Sequence, residues 1–253
     1  MVSVAGFNLT PVKSTALLAP SEVELGARGA IGDRRFLFAQ LDGSRPSGIS
    51  KAPLLRLSAW WDREHERLSL ALHDGTKIDG DARGRGDPVE VRLFDRSVPA
   101  RAVDPIFEEA VASIDPTLIL MRVDEPEYAG GRHRVSIISR ASVAEVGRMG
   151  GDAGLDPRRF RMLAEIDGVE PFAEDSLSGR RVAIGEAIVR VGRSIPRCAM
   201  TTLNPVDGRQ DFPTLDVLAR TRKVGPDLLL GVYADVERPG VVRVGDDVTR
   251  LEG

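Results

Sequence analysis

The chain has 253 residues, 42% of them hydrophobic, with 35 basic and 38 acidic side chains and a formal net charge of −3. That length suits one large domain or two closely joined small ones, with enough apolar material to fill a core. Charges of both signs are interspersed and aromatic residues make up only 5%, so nucleic-acid binding has neither an electrostatic footprint nor stacking platforms.

The first third reads as short strands. Val2, Val4 and residues 7–9 open it, and residues 35–41 (RFLFAQL) run into Asp42-Gly43, a hairpin turn signal. Residues 54–61 follow as a strand, with Trp60 and Trp61 on opposite faces. Leu68, Leu70 and Leu72 alternate at period two into Asp74-Gly75, a second hairpin signal. Residues 80–88 (GDARGRGDP) read as a loop, and 89–94 (VEVRLF) as a further strand.

The pattern then changes. Residues 105–114 place Ile106, Phe107, Ala110, Val111 and Ile114 at helical spacing, 118–123 read as a strand, and 125–134 as a loop. Residues 135–138 form a strand, and Ser139 or Ser142 caps a helix over roughly 143–149. Strands are expected at 160–166, 181–184, 187–191, 228–236 and 241–248, and a helix at 213–221. The resulting expectation is a mostly β (α+β) protein, barrel-like, with a few short helices in its second part.

Cys198 is the sole cysteine, which excludes an internal disulfide framework and a four-cysteine iron–sulfur cluster. His65, His73 and His133 are scattered without metal-ligand spacing. Residues 1–10 have no basic start, and no window approaches the ~18 apolar residues of a membrane span. A cytoplasmic protein without a membrane partner is therefore expected. Cys198 follows an alternating strand and sits beside Arg197, where a cation favours the thiolate. On these residues alone, a buried inert thiol and a functional one both remain open.

The flanking pattern is more specific. Residues 196–208 read Pro-Arg-Cys-x-x-Thr-Thr-x-x-Pro-x-x-Gly, which closely resembles the signature of MOSC domains, named after the C-terminal domain of molybdenum cofactor sulfurases. Pro11-Val12-Lys13-Ser14 is similar to that family's Pro-Val-Lys-Ser, and residues 29–35 (GAIGDRR) to its Gly-x-x-x-Asp-Arg. Phe160-Arg161, residues 171–175 (PFAED), Gly231-Val232-Tyr233, Pro239-Gly240 and Val244-Gly245-Asp246 follow in family order. One departure stands out: Met162 and Leu163 occupy the positions of the family's Pro-Asn.

The resemblance, to amidoxime-reducing proteins in particular, implies an N-terminal β-barrel domain over residues 1–95 packed on a MOSC barrel over 100–253. It implies a Mo-molybdopterin cofactor whose metal is ligated by Cys198, with cofactor contacts from Lys13, Ser14, Arg34, Arg161, Ser194 and Arg197. It further implies a molybdenum-dependent oxidoreductase that reduces small N-oxygenated substrates with electrons from a separate flavin, haem or iron–sulfur donor protein. No pyridoxal phosphate and no iron–sulfur cluster are expected in this chain. A cofactor carrier or sulfur-delivery protein is the alternative, because the same residues would serve it.

Overall fold

A computed structural model describes residues 1–45, 48–93, 96–124 and 135–252. The loop expected at 125–134, with His133, lies outside these residues apart from its neighbours.

The second part of the chain builds a nearly closed barrel. Its strands run in the order Ser3–Phe7, Ala164–Asp167, Val135–Ser139, Asp227–Arg238, Ala187–Pro196, Arg181–Ile184 and Val248–Leu251. The first and last strands then meet: Val4 N–H donates to Asp246 O at 2.8 Å, and Val248 N–H to Val2 O at 2.9 Å. Closure removes the open sheet edges that would otherwise template pairing with other chains. One neighbouring pair, Val135–Ser139 with Ala164–Asp167, is parallel. A parallel pair needs a crossover, and helix α1, Arg140–Gly150, supplies it. Inward residues including Val4, Phe7, Ile137, Ile166, Val189, Val191 and Val232 fill the barrel.

The α1 helix begins on a buried polar knot. Ser139 is its N-cap, accepting from Ser142 N–H. The Glu174 carboxylate, 1% exposed, accepts from Ser139 N–H at 3.2 Å and from the Ser142 hydroxyl at 2.8 Å. Glu174 lies on the turn Ala173–Leu177, so this knot ties the crossover to the loop that precedes the last barrel strands.

The N-terminal part holds a four-stranded antiparallel sheet in the order Phe36–Ala39, Ile119–Val123, Arg96–Ala102, Arg85–Leu93, and a meander of Ser58–Asp62, Arg67–Ala71 and Lys77–Asp81. Phe36, Phe38 and Leu120 face the meander's Ala59, Leu68 and Leu70 in one core. Leu37, Val91, Val98 and Met121 fill a second core. Arg85–Leu93 pairs with Arg96–Ala102, and that strand with Ile119–Val123.

Several sequence expectations are corrected. Asp42-Gly43 makes a local turn but no hairpin; Phe36–Ala39 pairs instead with Ile119–Val123, a distant partner that buries both of its faces. Residues 54–61 split into a 3₁₀ turn, Gly48–Arg56, and a strand from Ser58. Much of the loop expected at 80–88 is strand, since Arg85–Leu93 continues the sheet. The helix expected at 105–114 is only a 3₁₀ turn, Pro105–Ala110, which still turns Phe107 and Ala110 inward. Residues 160–163 are not strand, because Arg161 adopts a left-handed backbone (φ 53°) that breaks extension. The Asp74-Gly75 hairpin, the Ser139 cap and the opposite facing of the tryptophans hold: Trp61 meets Phe36 edge-on at 5.2 Å, and Trp60 is exposed.

Glu174→Ala would leave two buried donors unmatched and should lower unfolding stability in urea by about 3 kcal/mol. Glu174→Gln, which keeps an acceptor oxygen, should lose less than half of that. Equal losses would remove the hydrogen bonds as the cause.

Candidate functional site

Two N-terminal motifs lie side by side. Arg34 N–H donates to Thr10 O at 2.7 Å, Phe36 N–H to Pro11 O at 2.9 Å, and Lys13 N–H to Phe36 O at 2.7 Å. Thr10 N–H reaches the Asp33 carboxylate at 3.0 Å. The Thr15 hydroxyl closes the turn, bonding Val12 O at 2.8 Å and the Thr10 hydroxyl at 2.7 Å. Inside that turn, Ser14 is buried with φ 76°.

A second loop answers the first. The 3₁₀ turn Pro157–Phe160 ends in Arg161, whose Nη2 donates to Thr15 O at 2.8 Å. In return, Arg34 Nη2 donates to Arg161 O at 2.9 Å, while its Nη1 holds Asp33 Oδ2 at 2.6 Å. Ser14, Arg34 and Arg161 are three of the five non-glycine residues with positive φ among the described residues. Such backbone persists only where surrounding bonds over-determine it, and it gathers at functional sites.

Cys198 follows Arg197, whose side chain bonds to this same turn. Strand Ala187–Pro196 delivers it, and its thiol is free and exposed. The Arg197 side chain reaches back to the Pro157–Phe160 turn. One guanidinium nitrogen donates to Phe160 O and another contacts Met162 Sδ at 3.3 Å, with the group 5.5 Å from the Phe160 ring centroid. Its Nε is buried and has no hydrogen-bond partner. Burial lowers the Arg197 pKa to about 10, opposed by the charges of Cys198 and Tyr233. The group therefore stays cationic at neutral pH, in a place where an added anion would be welcome.

Ser194 belongs to a neighbouring set. Its hydroxyl donates to Asp175 Oδ1 at 3.4 Å, and Arg222 pairs with the other Asp175 oxygen. Arg222 also lies 4.4 Å from the Phe172 ring centroid. Thus hydrogen bonds tie together Lys13, Arg34, Arg161 and Arg197 through their loops, while Ser194 bonds to Asp175 in a separate set. Met162 and Leu163, the departures from the family pattern, are both buried; Met162 packs on Gly231, where an added Cβ would meet its Cε at 2.7 Å.

Sequence reasoning missed the burial of the Asp33–Arg34 pair, Thr15 as the acceptor for Arg161, and Arg159. In sequence, Arg158-Arg159 resembles a solvated charge pair. Beside Cys198 lies a groove of about 470 Å³, lined by Ala199, Thr202, Gln210, Asp211, Phe212 and Asp216 among others. Asp211 is engaged by Arg159 and Asn204, at 3.0 and 2.8 Å. Among the described residues no cluster of three His, Cys, Asp or Glu side chains could hold a metal ion alone, and no helix is long and apolar enough to cross a membrane.

The MOSC domain model matches residues 124–249. Human mitochondrial amidoxime reducing component 2 is 34% identical over 287 residues, covering 98% of this chain and 83% of its own length. This chain belongs to the MOSC family. Human mitochondrial amidoxime-reducing component 1 is 26% identical over 285 residues, with the same coverage. The crystal structure of the YUAD protein from Bacillus subtilis covers 98% of this chain and 94% of its own, at 16% identity and a TM-score of 0.49.

The MOSC chain carries its Asp33–Arg34 pair in near-complete burial, with the side chains 1% and 11% exposed. Arg34→Met would remove the cation from beside the buried carboxylate and should cost about 3 kcal/mol of stability. Arg148→Met, which breaks an exposed pair with Glu145, should cost under about 0.5 kcal/mol. Urea titrations of both variants check the contrast, and similar costs would show that the buried pair is not special.

Proposed function

We propose that this MOSC protein is a molybdenum cofactor-dependent reductase of N-oxygenated substrates, with Cys198 as the metal's protein ligand. The observation that carries the reading is an exposed thiol at the edge of a cationic frame assembled from distant parts of the chain. The residues present fit such a cofactor. A soft thiolate suits molybdenum as a ligand. The unpartnered buried Nε of Arg197 and the guanidinium groups of Arg34 and Arg161 suit an anionic phosphate and polar pterin edges.

Within this reading, Lys13, Ser14, Arg34 and Arg161 hold the cofactor's polar parts, Arg197 supplies positive charge next to the ligand, and Ser194 helps shape the adjoining wall. The bound cofactor supplies two-electron redox chemistry. The net reaction converts an N–OH group, two electrons and two protons into N–H and water, with the electrons drawn from a separate donor protein. The names of the amidoxime reducing components support amidoximes as the substrate class. The groove beside Cys198 is where such a substrate would lie, its apolar part on Phe212 and its N–H groups toward Asp216. A cytoplasmic setting suits the free thiol.

The deciding measurement is the molybdenum and pterin content of the purified wild type beside Cys198→Ala, with turnover of benzamidoxime by a chemical reductant. Near-stoichiometric metal and turnover are expected in the wild type, with metal retention more than about tenfold lower in the variant. No metal in either protein, from a host that makes the cofactor, overturns the reading. Tight cofactor that is handed to an apoenzyme without turnover favours a carrier.

Asp216→Asn should raise KM for benzamidoxime about two- to tenfold, the worth of one partly solvated hydrogen bond, with little change in kcat. An unchanged KM would move the substrate out of the groove.

A further inference from the structure

Arg159 is 4% exposed, yet it carries a full charge into the protein. Its Nη1 donates to Thr201 O at 3.1 Å and leans toward Leu203 O at 3.4 Å. Its Nη2 holds Asp211 at 3.0 Å, and its guanidinium lies 5.2 Å from the Phe212 ring centroid. Nε is buried without a hydrogen-bond partner. Burying a cation with one unmatched donor is unfavourable, and an apolar side chain of similar size is often no worse for stability. The placement of the other donors explains the arginine better than stability does.

Thr201 and Leu203 belong to the short turn that starts at Cys198, where Ala199–Thr202 forms a 3₁₀ turn. The last carbonyls of such a turn have no partner within it. Arg159 supplies one, and the Thr214 hydroxyl adds a second donor to Thr201 O at 2.6 Å. Thr201 in turn grips the cysteine itself: its N–H and its hydroxyl both donate to Cys198 O, at 3.0 and 2.9 Å. On the other side of the thiol, Arg197 is fixed to Phe160 O. Phe160 directly follows Arg159. One turn therefore holds the backbone after Cys198 and the side chain of the residue before it.

We propose that Arg159 is a positioning residue for Cys198, acting through Thr201 to hold the thiol in one orientation next to Arg197. The role rests on Cys198 being the functional thiol. Arg159 needs no contact with the cofactor or the substrate. A fork of donors is required for it, because two carbonyls and a carboxylate are held at once. Lysine, with a single compact head, replaces that fork only in part.

The test begins with cofactor-free protein, where Cys198 is the only thiol and its alkylation by iodoacetamide can be followed at one fixed neutral pH. The variants are Arg159→Met, Arg159→Lys and Thr201→Val, each checked for folding by circular dichroism and thermal unfolding. Loss of positioning moves the thiol away from the neighbouring Arg197 cation, which assists attack by the sulfur. The Met variant should alkylate at least about threefold more slowly. Lysine should restore part of the difference, and Thr201→Val should slow alkylation as Met does. Should the Met variant fail to fold, Thr201→Val and the lysine variant carry the decision. Folded variants whose rates match the wild type overturn the proposal.

In the molybdenum-loaded protein, the paramagnetic Mo(V) signal should show one species in the wild type and a shifted or mixed one in Arg159→Met. An unchanged signal also counts against the proposal. The two readings fail separately: a wild type that takes up no molybdenum removes the proposed activity, while the alkylation rates still decide the role of Arg159.

Discussion

The site depends on one turn, Pro157–Phe160 with Arg161 at its end, because its polar groups are shared among three other segments. Arg159 reaches the backbone after Cys198, Phe160 O receives the arginine before it, and Arg161 exchanges hydrogen bonds with Thr15 and Arg34. None of these bonds belongs to a sheet ladder. They replace the regular pairing that the chain gives up when it leaves the barrel, and a buried backbone group without such a partner would be costly. The positive φ of Arg161 follows from this demand. With this left-handed cap, the Arg161 carbonyl meets Arg34 while its side chain meets Thr15.

The electrostatics are lopsided in a way that bears on ligands. Asp33 answers Arg34, and Asp211 answers Arg159. Arg197 is bonded instead to a carbonyl and a thioether, neither of which carries charge. That is why burial lowers its pKa to about 10 rather than leaving it where an ion pair would. The folded protein therefore holds a cation at a desolvation cost, directly beside its only thiol. Binding an anionic group lowers that cost. Site preorganisation here consists of a deficit of negative charge kept in place by geometry.

How much of this was legible in the sequence differs from element to element. Periodicity found the barrel strands near Arg181, Ala187 and Asp227 because each alternates cleanly against one core. Ser139 was legible as a cap because its chemistry is local. The strand Phe36–Ala39 was legible as a strand but not in its pairing, because its partner lies some eighty residues away in sequence and the adjacent Asp42-Gly43 turn signals a neighbour that is not there. For the site, the motifs around Lys13, Arg34, Arg161 and Cys198 stand out as short patterns, and the fold draws their loops together. Asp33 and Thr15 stood within those same motifs, yet nothing in spacing says which carboxylate or carbonyl a guanidinium will choose. Arg159 was illegible because burial, the property that sets it apart from Arg158, comes from the packing of Phe212 and the turn after Cys198, and no local pattern encodes that.

The path of the chain explains why the loops meet at all. The first strand, Ser3–Phe7, is part of the barrel, pairing with Ala164–Asp167 and closing against the segment before Val248. Only afterwards does the chain cross into the N-terminal sheet at Phe36, carrying Thr10–Thr15 along the seam. Meanwhile Glu22–Gly26 pairs with Gly240–Arg243, a segment just upstream of the last barrel strand. The N-terminal part is thus fastened to the barrel at two places before its own sheet begins. A loop held between two such fastenings has little freedom to drift from the Arg161 turn it faces. The buried Asn8 side chain reinforces this, donating to Glu165 at 2.7 Å on the neighbouring barrel strand, where Arg140 of α1 also binds. Strand order, rather than the strength of any single bond, therefore brings the loops of Thr15 and Arg34 to the Arg161 turn, which also bonds Arg197. The hydrogen bonds across the seam then fix distances that the topology has already made short.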